Sequence, residues 1–215
     1  MIQVSLRDLR SVRVQLAGAS VGQADRRLVV ETVRTAIHNG VAVLNFDFSG
    51  IEVVTASYFK AFLFWFLDAG RLHADGAVSG GAFSSDDPMP LDVFPTVSGV
   101  NAEVGEELEM VLARHGRVVL EALDTDAGVL RRARVWGALD RSLLWTVQLL
   151  TKLSEATAPE LHEQHGAEEG KLPGTISVNA WNNRLVELHR LRFASRTKVG
   201  RFWVYRPIMK EIAHG

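Results

Sequence analysis

Along the first half of the chain, segments whose apolar residues follow a strand pattern alternate with segments whose apolar residues recur at helical spacing. Residues 12–16 alternate apolar and polar side chains, which predicts a strand, and residues 23–38 repeat apolar side chains at helical spacing. Asn39-Gly40 ends that helical pattern, as glycine commonly does at a helix C-terminus. Residues 41–48 are an almost continuous run of apolar, β-branched and aromatic residues, typical of a strand buried on both faces.

A second predicted helix follows, and it is apolar on nearly every side. Thr55 or Ser57 could cap its start, and the pattern runs to Ala69-Gly70. Residues 58–67 leave almost no polar face, which indicates burial on two sides. We consider two interpretations: a core helix, or a helix whose outer face packs on the C-terminal part or on a second subunit.

Residues 75–90 are rich in glycine, serine, aspartate and proline and predict a flexible loop. The elements predicted after this loop are a strand at 93–97, a helix at 102–115, a strand at 117–123 and a helix at 127–136. Alternating strands and helices predict an α/β domain, a mixed sheet covered by helices.

The remaining residues predict three helices and a hairpin. The predicted segments are a helix at 139–156, a short helix opening with Thr157-Ala158-Pro159-Glu160, a helix at 176–193 capped by Thr175 or Ser177, and a hairpin at 196–205. The third helix carries an apolar stripe that includes Trp181, which we expect to point into a core.

Charge divides the chain near residue 137. The whole chain has a net charge of −1, residues 1–137 carry −4 and residues 138–215 carry +3. Residues 176–210, here called the basic segment, hold eight basic residues and one acid. We therefore predict two domains, 1–137 and 138–215. Concentrated positive charge favours nucleic acid, since phosphate neutralisation supplies much of DNA affinity.

Residues 43–59, VLNFDFSGIEVVTASYF, resemble a STAS-type domain, as in anti-sigma-factor antagonists and STAS-like domains of unknown function. The resemblance covers roughly residues 1–125 and implies a non-enzymatic domain that contacts proteins. In the antagonists a serine at this helix start is phosphorylated. Ser57 is nearest that position and Thr55 is the alternative, although the Asp-Ser-Ser-Gly core of the antagonists reads TASY here. The other interpretations are a helix cap or an anion site.

Residues 139–208 resemble bacterial winged helix-turn-helix regulators, so the second domain is expected to be a mainly-α winged helix. The resemblance implies that the third helix enters the major groove of duplex DNA and that the hairpin contacts the backbone. The implied DNA-binding residues are Ser177, Asn179, Asn182, Asn183, Arg184, Arg190, Arg196, Lys198 and Arg201. Phe202, Val204 and Tyr205 are expected to pin the hairpin to the core.

Several kinds of chemistry are not supported by the sequence. The chain has no cysteine, and His162-Glu163-Gln164-His165 lacks the zincin spacing, so we predict no metal site and no cofactor. Phosphate-binding and dinucleotide-binding glycine motifs are missing as well. The N-terminus shows no signal peptide and the longest apolar run, 61–67, is too short for a bilayer, which predicts a cytoplasmic protein without membrane contact.

These observations favour a DNA-binding regulatory protein whose STAS-like domain contacts a protein partner or forms a homodimer. The alternative is a non-enzymatic adaptor, or a subunit of a larger assembly, whose winged helix docks protein. A lesser alternative is a small-ligand sensor or an enzyme on the α/β domain, based on Asp47, Thr55 and Ser57 at a strand-to-helix turn.

Overall fold

The computed structural model describes residues 1–9, 13–34, 42–74, 93–165 and 176–213. The strands are β1 (Ile2–Ser5), β2 (Gln15–Leu16), β3 (Ala42–Asp47), β4 (Val53–Val54), β5 (Val93–Ser98), β6 (Val119–Asp126), β7 (Val129–Trp136), β8 (Ala194–Val199), β9 (Phe202–Pro207) and β10 (Met209–Ile212). The helices are α1 (Ala19–Arg34), α2 (Ala56–Ala61), α3 (Leu63–Ala74), α4 (Ala102–His115), α5 (Arg141–Leu153), α6 (Ala158–His165) and α7 (Val178–Arg190). The loop predicted at 75–90 lies outside the described residues.

A six-stranded mixed sheet organises the molecule, with strand order β1-β3-β5-β6-β7-β10. The first four of these strands are parallel, β6 and β7 are antiparallel, and β10 is parallel to β7. Two short ladders, β2–β4 and β8–β9, stand apart from it. The predicted α/β class with a mixed sheet and helices is confirmed.

The apolar run predicted at 41–48 is the strand β3, hydrogen-bonded to β1 on one side and β5 on the other. Leu44 and Phe46 are fully buried on one face. Asn45 is buried as well, and its amide nitrogen donates to Gln3 Oε1 and Ser98 Oγ, both at 2.7 Å. The run is continuous because both faces of this strand are covered.

The all-apolar helix is two helices, α2 and α3, that meet at Phe62. All eight large apolar side chains between 58 and 67 are buried, which confirms burial on both sides. Phe62 and Phe66 pack against Phe46 of the sheet, with ring centroids 4.8 and 4.9 Å away. Helix α3 also contacts α7, so the segment reaches the C-terminal part of the chain.

The helix predicted at 127–136 is wrong, because these residues form strand β7 of a long hairpin with β6. Ala127 and Gly128 have positive φ angles of 47° and 78° and make the two-residue turn. The pairing register shifts twice between Ala122 and Thr125. That irregularity brings Leu130 and Ala133, three residues apart, into the same core, so a bulged strand imitates helical spacing.

Two other strand predictions changed in extent, and strand β1 was not predicted, because its four residues are too few to show a clear alternation. The strand predicted at 12–16 covers only Gln15–Leu16 among the described residues, and the one predicted at 117–123 extends to Asp126. The helix predicted at 102–115 is confirmed as α4, capped by the side chain of Asn101.

Two hydrophobic cores lie on opposite faces of the sheet. Helices α1 to α4 bury the first core, which includes Leu44, Phe46 and Val97. The second core joins sheet residues such as Phe94 and Leu130 to α5, α6 and α7. Residues 138–213 therefore share both a core and, through β10, a sheet with the preceding residues. The division into domains 1–137 and 138–215 stays a prediction. The structure shows in addition that residues on both sides of the predicted boundary belong to one sheet.

The three C-terminal helices are confirmed as α5, α6 and α7. Thr157 and Glu160 form the expected capping box: Thr157 N donates to Glu160 Oε2 at 2.7 Å, and Glu160 N donates to Thr157 Oγ1 at 3.4 Å. Ala156, between α5 and α6, exchanges two backbone hydrogen bonds with Tyr205 of β9, at 3.0 and 2.9 Å. This single antiparallel β-bridge joins the segment between α5 and α6 to the β8–β9 hairpin.

Candidate nucleic-acid interface

Helix α7 presents one buried and one polar face. Ser177 caps it, accepting a hydrogen bond from Ala180 N at 3.2 Å, while the alternative cap Thr175 lies outside the described residues. Trp181, Leu185 and Leu188 are fully buried, which confirms these three members of the expected inward stripe, whereas Val178, the fourth apolar residue expected in it, is 37% exposed. The side chains of Asn179, Asn182 and Asn183 are exposed. The helix can therefore offer several amide groups to a ligand while its apolar stripe holds it in place.

Arg184 lies at the border between these faces. Its guanidinium carbon is 5.3 Å from the centroid of the Trp181 ring, and Trp145 packs on the same ring at 5.2 Å. Hydrogen bonds from the Ser142 side chain and backbone lower the pKa of the nearby Asp140 carboxyl, and the charge of Arg184 adds to that effect. Arg184, which belongs to the predicted DNA-binding set, thus packs beside the Trp181 ring and lies near the start of α5.

Arg190 lies at the C-terminal end of α7. Its Nη1 atom is 3.7 Å from Glu187 Oε2, in an ion pair between residues one helical turn apart. With Leu67, Arg117 and Leu191 it lines a crevice of only about 10 Å³. This predicted DNA-binding residue is therefore separated along the helix from the three exposed asparagines, which occupy the first two turns.

The basic segment presents less charge to solvent than its sequence indicates. Arg192 is 1% exposed, and its guanidinium carbon lies 5.2 Å from the ring centroid of Phe94 in the sheet. Arg206 Nε donates to Glu155 Oε2 at 2.6 Å. Lys210 is exposed, but on the edge strand β10. The exposed basic residues of the segment are thus concentrated in the β8–β9 hairpin.

We call residues 194–207 the basic hairpin. Gly200, at a φ of +60°, opens its two-residue turn, and Lys198 pairs with Trp203 across the strands. Lys198 and Arg201 are exposed, while Arg196 is half-buried, with its guanidinium carbon 4.5 Å from the Trp203 ring centroid. The structure thus brings the three predicted hairpin residues together at one end of the molecule.

The apolar residues of the basic hairpin differ from expectation. Tyr205 is buried and holds the hairpin to Ala156, as expected for a residue that pins it to the core. The same expectation for Phe202 is wrong, because its ring is 42% exposed. Val204 is half-buried. Phe202 is the first residue of β9 after the turn, whereas Tyr205 lies three residues further along the strand, and strand alternation alone could not show which of them is buried.

Thr55 and Ser57 mark the second predicted site, at the start of α2. Thr55 Oγ1 accepts hydrogen bonds from Gly18 N at 3.1 Å and Tyr58 N at 3.4 Å, so Thr55 is the cap of the helix. Ser57 is half-buried, with its Oγ 3.0 Å from Thr55 Oγ1. Asp47, at the end of β3, accepts a hydrogen bond from Ser49 N at 2.9 Å. Modification of Ser57 or anion binding at this turn stays a prediction.

In the part of the chain that the structure describes, no three histidine, cysteine or acidic side chains are grouped closely enough to hold a metal ion. No helix among the described residues combines the length and apolar character needed to cross a membrane. The chain matches no protein-family model, no curated protein and no solved structure.

Proposed function

We propose that the chain is a DNA-binding regulatory protein, with a winged helix formed by residues 139–208. The observation that carries the proposal is the placement of an exposed asparagine face on α7 immediately before the exposed cations of the basic hairpin. The element order supports it too: three helices followed by a hairpin, with a single β-bridge between Ala156 and Tyr205. Winged helices present a recognition helix and a hairpin to DNA in this order.

The residues divide into two roles. Asn182 and Asn183 would read base edges, because an asparagine amide can pair with adenine through two hydrogen bonds. Lys198 and Arg201 would contact phosphates and add affinity without sequence preference. Asn179 and the cap Ser177 are exposed at the start of α7, where backbone N–H groups favour phosphate oxygens. Arg196 would join the phosphate contacts from its position over Trp203.

The N-terminal residues would act as the STAS-like part of the same cytoplasmic protein. Their proposed role is to contact a protein partner or to form a homodimer, which would place two winged helices on paired half-sites. Because the sheet and α7 share a core, a partner bound to the N-terminal residues could alter the position of α7. No small-molecule cofactor is needed for this role.

The test is fluorescence anisotropy of the chain on a mixed-sequence duplex across a salt series. Each phosphate neutralised contributes about −0.9 to the slope of log affinity against log salt. We expect the double variant Lys198→Ala/Arg201→Ala to bind more weakly and to make the slope less negative by about 1 per cation removed. Lys210→Ala is the matched control, since it removes an exposed charge of the basic segment on β10.

Equal losses in the double variant and in Lys210→Ala would mean that the basic hairpin has no special role. Absence of duplex binding by the parental chain at low salt would overturn the DNA-binding proposal. The protein-docking adaptor would then be the function to test, by searching for a stoichiometric protein partner.

A further inference from the structure

The basic hairpin exposes two large aromatic rings at its turn end. Phe202 is 42% exposed and Trp203 is 40% exposed, although burial of an aromatic side chain away from water would stabilise the protein. Being successive residues of β9, they point to opposite faces of the ribbon. Val199, paired with Phe202, is exposed as well. The end of the hairpin therefore carries apolar surface on both faces.

An arginine covers part of each ring. The guanidinium carbon of Arg196 is 4.5 Å from the Trp203 centroid, and that of Arg201 is 4.9 Å from the Phe202 centroid. Guanidinium groups favour ring faces because the π-electron cloud is negative, and the stacking restricts the side chains. Each aromatic surface is thus held beside a positive charge, which suits a ligand that has flat apolar groups next to anions.

The surrounding sequence indicates which ligand that is. Residues 194–207 contain Arg196, Lys198, Arg201 and Arg206 and no acidic residue. Lys198 lies directly across from Trp203 in the ladder. An apolar protein surface would leave these charges unmatched, whereas duplex DNA offers phosphates alternating with sugar and base surfaces.

We propose that Trp203 and Phe202 make apolar contacts with the sugars and base edges of duplex DNA while the adjacent cations contact its phosphates. The inference rests on the proposed function, and it adds that the basic hairpin contributes affinity that salt does not weaken. Both residues are at least 40% exposed, so part of each ring is available to a ligand.

The experiment separates this contribution from the electrostatic one. We expect Phe202→Ala/Trp203→Ala to weaken duplex binding by about fivefold or more at every salt concentration, because the apolar area of two rings is no longer buried, while the log–log salt slope stays as in the parental chain. Trp203→Phe keeps a ring and should recover most of the affinity. Val129→Ala, which truncates an exposed apolar side chain of the β6–β7 hairpin, is the matched control and should bind within about twofold of the parental chain.

A spectroscopic readout identifies the contact itself. Duplex should protect the parental chain from fluorescence quenching by acrylamide, and this protection should be lost in Trp203→Phe. If the parental chain binds duplex but the double alanine variant binds equally well, the inference is overturned and the proposed function stands. If the parental chain does not bind duplex, both are overturned. Circular dichroism of each variant confirms that these exposed substitutions leave the fold intact.

Discussion

Arg192 carries one of the positive charges that define the basic segment, yet its side chain is buried against Phe94 of the sheet. A count of charged residues in the sequence includes buried ones, but a ligand interacts mainly with the charges that are exposed at the surface. Burial of Arg192 depends on how α7 packs on β5, two elements about eighty residues apart, which no local pattern reports. A charge count in sequence is therefore an upper bound on the charge offered to DNA.

Asp25 is a second residue whose role only the fold reveals. Its carboxylate is fully buried in α1, where Arg13 Nη2 donates to Oδ2 at 2.8 Å and Tyr58 Oη donates to the same oxygen at 3.0 Å. Arg13 precedes β2, Asp25 lies in α1 and Tyr58 in α2, so their spacing in sequence carries no signal. A buried carboxylate requires such donors, because burying a charge without partners is very costly.

At the residue scale we predict that Tyr58→Phe lowers the free energy of unfolding by about 1.5–3 kcal/mol. The change removes a hydrogen bond to a charged, buried acceptor while keeping the ring. Tyr205→Phe is the matched control: among the described residues no group hydrogen-bonds Tyr205 Oη, so this variant should be neutral or slightly stabilised. Urea unfolding measures both, and equal losses would contradict the assigned role of Tyr58.

At the scale of elements, the strongest local signals were reliable. The capping box at Thr157 and Glu160 and the apolar run of β3 depend on residues close in sequence, and each gave the expected element. The prediction of a helix at 127–136 was wrong because the bulge in β7 places two core residues three positions apart, as in a helix. The site followed the same rule: α7 and its exposed asparagines were predictable, but the exposure of Phe202 was not.

The turn of the β6–β7 hairpin gives the prediction at this scale. Ala127 occupies a left-handed conformation that costs an alanine about 1–2 kcal/mol, whereas asparagine is favoured before glycine in such turns. We expect Ala127→Asn to stabilise the chain by about 0.5–1 kcal/mol and Ala127→Val to destabilise it, as measured by thermal unfolding. Residue 127 is exposed, so packing does not complicate the comparison. Destabilisation by asparagine would instead suit a helix at 127–136.

At the scale of the whole molecule, the sheet connects parts that charge and composition divide. Composition changes near residue 137, but β10 returns to the sheet, pairing Met209 with Leu130 and Ile212 with Ala133. Helix α5 packs on that strand, and the second core includes residues from both sides of the predicted boundary. The composition of the sequence shows where the net charge changes sign, but it does not show where the hydrophobic core ends.

We therefore predict that the chain unfolds in a single cooperative transition. Met209→Ala, which truncates a buried side chain of β10, should lower the free energy of unfolding by about 2–5 kcal/mol and shift circular dichroism and tryptophan fluorescence together. The exposed neighbour Lys210→Ala should change it by less than about 0.5 kcal/mol. Two separate transitions, only one of them affected by Met209→Ala, would show that the predicted domains fold independently.

The return of β10 to β7 also has a consequence for synthesis on the ribosome. Leu130 emerges 79 residues before its partner Met209. At about 5–20 residues per second, β7 waits roughly 4–16 s with its outer edge unpaired. An open strand edge beside an unfilled apolar face is a template for pairing with other chains. We therefore expect the yield of folded protein to depend on the crowding of nascent chains and on the supply of chaperones. This dependence should be stronger than the stability of the folded state alone would predict.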